Sequence, residues 1–353
     1  KDHHGSRVVC VPGPSADLSC AVGGAAAAGW AEMAKEHLLS ATGRVWNDIK
    51  GELDDKSEAE EGEPAESAPV STDELKKITK WLQHAVTKFS ASAAVCDGPK
   101  DPALKSMSEE LVKAFTAALG TLLSIRRGAG PSLRRELRDV AGGLAKAADS
   151  LGAAVGTPGM AVCAGQVLDR VKHFERVSGS NRAATRRKIL TSLTQLRDAS
   201  KELKEALQEK GSEAGGDSDD DLDLADSMCG EDELEPEERV VMDAVAVAVG
   251  ILEELLKQAS AACMPAQSSG AEPTPLPALE AVAACAGKAQ SAVDGLAAHG
   301  LGGMDVKAFG VSLGELRAAA AGLEGAPFVR ESAEKLKGAV DTVQEALDKV
   351  PTD

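Results

Sequence analysis

The 353-residue sequence has no tyrosine, and its aromatic content is 2%. A core must then be filled by alanine, valine and leucine. These residues suit close helix–helix packing better than sheet faces, where aromatics are favoured. Long apolar runs are also missing, and none approaches the ~18 uncharged residues that a bilayer crossing needs. The opening stretch, "KDHHGSRVVCVPGPSADLSCAVGGAAAAGW", faintly resembles a signal peptide. Pro12, Pro14 and Asp17 break its apolar region, so that reading is rejected. Residues 1–32 are expected to be a disordered or non-native extension.

Positive charge is scarce, with a net charge of −17. That argues against direct nucleic-acid binding, which draws on clustered Lys and Arg. No CxxC motif occurs, no Cys/His pairing has zinc spacing, and no Asn-x-Ser/Thr site is present. The seven scattered cysteines fit a reducing compartment, most of them as small buried apolar groups. G-x-S-x-G, Walker A and G-x-G-x-x-G signatures are all absent. The six histidines are dispersed. Nothing can be named as nucleophile, base, metal ligand or cofactor contact, and an enzyme is not expected.

What the sequence does carry is helical periodicity throughout. Helices fit about 30–50, 72–95, 102–125, 131–155, 161–177, 181–210, 236–263, 277–299, 303–323 and 327–350. Ser71-x-x-Glu74 forms a capping box that opens the second of these. Leu133, Leu137, Val140, Leu144 and Leu151 share one helix face. So do Ile189, Leu193, Leu196, Leu203 and Leu207, with Ser200 as the polar intruder. The last helix has the cleanest seam, Val329, Ala333, Leu336, Val340, Val343, Leu347 and Val350. Such seams read as the core of intramolecular bundles, and the alternative is a dimerising zipper. If one face meets a partner, the Ile189–Leu207 set is the candidate.

Two acidic stretches punctuate this pattern. "GELDDKSEAEEGEPAESAPV", over 51–70, is too polar to fold alone. "DSDDDLDLADSMCGEDELEPEERVV" begins at Asp217. A calcium loop needs glycine at position six and glutamate at twelve. Registers from Asp217, Asp219 and Asp221 place Leu222, Leu224 and Asp226 at six, so each fails. An Asp221-x-Asp223 phosphoryl-transfer nucleophile would need a rigid preceding strand, but "QEKGSEAGGDS" precedes it. The stretch reads as a solvated linker. Its end starts a helix, with Pro236 at the first turn and Glu237 and Glu238 at the positive dipole end.

One constellation is more specific. Arg182, Arg186, Arg187 and Lys188 lead into an amphipathic helix, then a loop, then the 236–263 helix. The order is that of a basic helix-loop-helix protein. The basic residues are few and the loop long. The arrangement reads as a helix-loop-helix-like pairing surface or as two ordinary bundle helices.

The order of these features resembles the cyclin-D-binding protein family, also called Grap-associated cyclin-D-interacting or Maid-like proteins. The carrying residues are "MAKEHLLSATGRVWNDIKGELDD" from Met33, "AVTKFSASAAVCDGPKDPALKSMSEELVKAFTAAL", "ILTSLTQLRDASKELKEALQE" and the acidic run with its following helix. The closest likeness is to plant-type members. Animal members tend to carry a Trp in the acidic stretch, where this chain has Met228-Cys229-Gly230. The resemblance implies an all-helical, two-bundle fold. It also implies a non-enzymatic role in nucleus and cytoplasm: binding D-type cyclins or helix-loop-helix transcription factors, and restraining cell-cycle progression or transcription.

The resulting expectation is an all-α chain of two helical bundles, vinculin-like and of four to five helices each. An N-terminal bundle spans 33–210, an acidic linker 211–235 and a C-terminal bundle 236–353. No cofactor, metal or membrane association is expected, and the oligomeric state stays open. The rival reading is a vinculin-like scaffold for cytoskeletal or membrane-associated partners.

Overall fold

A computed structural model describes residues 71–95, 102–126, 128–209, 234–264, 273–301 and 304–351, together with Asn47. The expected extension 1–32, almost all of the 30–50 helix, the 51–70 acidic loop and acidic residues 211–233 lie outside the described residues. Among the described residues the protein is all-α. Its helices are α1 (Thr72–Val95), α2 (Pro102–Arg126), α3 (Pro131–Ala154), α4 (Met160–Glu175) and α5 (Asn181–Glu209). They continue with α6 (Pro236–Ala262), α7 (Leu276–Gly300), α8 (Val306–Leu323) and α9 (Arg330–Leu347). No described helix is long and apolar enough to cross a membrane.

Local chemistry accounts for the helix starts. Ser71 Oγ accepts the Glu74 N–H at 3.2 Å, and the Glu74 carboxylate accepts the Ser71 N–H at 3.4 Å, closing the expected capping box. Proline occupies the first turn of α3, α6 and α7, where its missing N–H costs nothing. The Asp305 carboxylate accepts the N–H groups of Lys307 and Ala308 at the start of α8. The expected 327–350 helix is interrupted at its start. Pro327–Val329 forms a 3-10 turn before α9, although the whole seam from Val329 to Val350 is buried.

The helices form two apolar cores. α1 lies between α2 and α4, and α3 packs on α4 and α2, so these four close a bundle. Its interior holds Leu82, Phe89, Phe115, Leu122, Leu137 and Phe174. The second core is a ring of five, in which α5 lies between α6 and α7, α8 beside α7, and α9 beside α8 and α6. Alanine lines much of α7, at Ala283, Ala286, Ala289 and Ala292. The packing is correspondingly close. A Cβ on Gly295 would come within 2.5 Å of the Ser312 hydroxyl on α8.

The boundary expected at residue 210 does not coincide with the division between the cores. Of α5, only Ala184 belongs to the first core, while Ile189 to Leu207 belong to the second. Packing explains this: in the first bundle α5 has its main contact with α3, made by its first turns, and the rest of its 29 residues overhang. The overhanging apolar face finds its cover in α6 and α7.

Candidate partner-binding surfaces

Each residue of the expected partner face, Ile189, Leu193, Leu196, Leu203 and Leu207, is buried. They fill the second core, in keeping with the reading of this seam as bundle core. A partner could reach them only if α5 left its neighbours. The basic tract that precedes them is also committed. Arg182 donates to the Thr274 carbonyl at 2.7 Å, and Arg187 pairs with Glu136 on α3. α5 and α6 do pair, antiparallel, through Arg197–Glu253 and an Arg239 bond to the Leu207 carbonyl at 2.9 Å. This is a contact within the bundle.

The α5 start is held by a polar junction between the cores. Glu280 on α7 is 8% exposed and accepts from the Ser132 hydroxyl at 2.5 Å and the Ser132 N–H at 3.3 Å. Thr185 Oγ1 lies 3.0 Å from the same carboxylate. The Asn181 side chain bridges the Gly130 N–H and the Gly128 carbonyl. The N-termini of α3, α5 and α7 therefore meet around one carboxylate, which their dipoles favour. Burial, then the nearby Arg135 charge, lowers the pKa of Lys188, with Glu280 acting in the opposite direction. At the neighbouring end of α6, burial pushes the Cys263 thiol up to about 11. Buried and protonated, it is an inert core group.

The surface offers a different apolar feature. Between the C-terminal half of α1 and the N-terminal half of α4 runs a groove of about 640 Å³. Ala91 and Ala93 form one wall, Ala161, Ala164 and Leu168 the other, and Met160 lies at the end. Thr87, Ser90 and Thr157 also line it, but their hydroxyls donate to the carbonyls of Gln83, Thr87 and Ala154. Their hydrogens are used locally, so the groove is effectively apolar. Gly165 leaves it open, since a Cβ there would meet nothing within 4 Å. Gly156, at φ 76°, turns the chain after α3 and brings Thr157 and Pro158 to the rim. Sequence reasoning missed this groove. Its signal was a run of alanine and glycine on the outer faces of two helices, which has no periodic signature.

A second apolar surface lies on the outer side of α6. Val240 and Val247, two turns apart, are 58% and 61% exposed, and Ala244 and Ile251 are half-buried beside them. Among the described residues, no cluster of three or more His, Cys, Asp or Glu could hold a metal ion. The carboxylates of 217–233 lie outside that set.

Residues 74–209 match a family model described as Grap2 and cyclin-D-interacting, N-terminal. The match covers α1 to α5 almost entirely, including the groove and the helix that completes the second core. It agrees with the resemblance to cyclin-D-binding proteins over those residues. No curated protein matches the chain.

Proposed function

We propose that this chain, whose residues 74–209 carry a Grap2 and cyclin-D-interacting N-terminal domain, is a non-enzymatic regulator that acts by binding other proteins. Its principal partner is a D-type cyclin, with helix-loop-helix transcription factors as a second class. Acting in nucleus and cytoplasm, it restrains cell-cycle progression or transcription. The observation that carries this reading is the apolar α1–α4 groove inside the matched domain. An amphipathic helix of the partner, presenting small and medium apolar side chains, is the occupant that such a groove fits.

The full chain should bind a D-type cyclin from its own organism, measured by calorimetry on purified proteins. Gly165→Leu tests the groove specifically. The position is helical and open, so leucine fills the groove while improving helix propensity by up to about 1 kcal/mol. The variant should keep or raise the melting temperature and weaken cyclin binding at least about tenfold, or roughly 1.4 kcal/mol. Unchanged binding by a folded Gly165→Leu protein removes the groove. No binding by the parent chain to either partner class removes the whole reading.

A further inference from the structure

The opposite flank of α4 forms a second concavity of a different chemistry. A cleft of about 490 Å³ runs between α3 and α4. Lys146 and Ser150 project from α3, and Gln166, Arg170 and His173 from α4. Its floor contains Gly143. A Cβ there would stand 3.3 Å from Arg170 Cδ and 3.6 Å from Nε, so the missing side chain lets the arginine lie along α3.

The charges do not cancel within the cleft. Asp169 is its one lining carboxylate, and it is taken by Lys172 at 2.7 Å. The Lys172 hydrogen bond, then its charge, holds Asp169 below the usual carboxylate range, and His173 and Arg170 pull in the same direction. Among the described residues, Lys146 and Arg170 make no ion pair. Of the lining residues, two cations, Lys146 and Arg170, stand against one carboxylate, Asp169, which Lys172 pairs from outside the cleft. They stand on a chain whose net charge is −17.

We infer that this cleft binds a phosphate monoester group, with Arg170 and Lys146 as charged contacts and Gln166 and His173 as hydrogen-bond donors; the Ser150 hydroxyl already donates to the Lys146 carbonyl at 3.0 Å. A phosphate monoester carries close to two negative charges at neutral pH and three acceptor oxygens. The guanidinium fork of Arg170 matches two of those oxygens, and Lys146 supplies a point charge. The volume falls within the range that small-ligand sites occupy. A nucleic-acid strand fits poorly, because backbone binding needs an extended basic track and the rest of this chain is acidic. The group has two sources, a small phosphate ester or a phosphorylated side chain on a partner.

The test uses the full chain with three probes: O-phosphoserine, a phosphoserine peptide and the same peptide with glutamate in place of phosphoserine. Binding is followed by calorimetry and by the His173 imidazole resonances. At least one phosphorylated probe should bind saturably and shift the His173 imidazole resonances, and the glutamate peptide should bind more weakly. Equal binding of the two phosphorylated probes identifies a small ester, and peptide-only binding identifies a phosphorylated partner. Arg170→Gln should weaken binding by at least about tenfold. Gly143→Ala should weaken it by crowding Arg170 while leaving the fold at least as stable, since alanine is the better helix former. The inference fails if neither phosphorylated probe saturates, if glutamate binds as well, or if both variants bind like the parent. Arg170 and Gly143 lie outside the α1–α4 groove, so this result is separate from the cyclin measurement.

Discussion

Glu280 is where one side chain has most to lose. Its carboxylate accepts two bonds from Ser132, and the hydroxyl of Thr185 lies within reach. Thr185 has an alternative, since its hydroxyl is also 2.8 Å from the Asn181 carbonyl. Removal of the carboxylate therefore falls mainly on Ser132, whose hydroxyl and N–H would be left buried without an acceptor. Lys188 would also lose the charge that opposes its repulsion from Arg135. Glu280→Ala should lower unfolding stability by about 3 kcal/mol and Glu280→Gln by about 1 kcal/mol. Urea unfolding of both variants checks this. Equal, small losses would show that the junction holds without the carboxylate. Residues at this scale were the least legible in the sequence. Glu280 is separated from Ser132 by 148 positions and from Thr185 by 95. A glutamate beside leucine in an alanine-rich helix gives no sign of its partners.

Elements were far more legible, because helix signals are local. The Ser71–Glu74 capping box, Pro236 at the start of α6 and the seam of α9 are all readable from residues within a few positions of one another. The alternating "AVAVAVGIL" of α6 is helical despite its strand-like pattern. Val241, Val245, Val249 and Leu252 point inward, while Val247 faces out. A helix with apolar residues all round is normally buried on every side, so the outer face of α6 is a second surface at which a partner can be sought. The α6 start combines two duties in Glu238. Its carboxylate caps the Glu235 N–H at 3.0 Å and accepts the Met304 N–H at 3.2 Å ahead of α8. Glu238→Ala should cost about 1–2 kcal/mol. Amide exchange should rise at both the α6 start and Met304, and a rise confined to α6 would remove the second duty.

For the whole molecule, the decisive feature is α5. The family match ends at residue 209, yet the helix it ends on packs mostly in the five-helix core. A fragment ending there exposes Ile189, Leu193, Leu196, Leu203 and Leu207. Burial of five such side chains is worth on the order of 10 kcal/mol as an upper estimate. A 71–209 fragment should therefore bind more apolar dye than the full chain and self-associate more strongly, as light scattering would show. A monomeric, dye-silent 71–209 fragment with cooperative unfolding would mean that α5 is not shared in this way. The partner role expected for this seam would arise only when the second core is opened.

By itself the sequence determined that the chain is helical, where most helices begin and end, and which face of each is apolar. A 3.6-residue period, end-capping groups and proline positions act over one or two turns, so they survive in one dimension. Only the tertiary structure decided which seam covers which. It set the Ile189–Leu207 face in the second core and made α5 a member of the second bundle. It also created the α1–α4 groove, the α3–α4 cleft and the Glu280 junction. Each of these is made by side chains on separate helices, and their meeting depends on helix lengths and packing order, which no local pattern encodes.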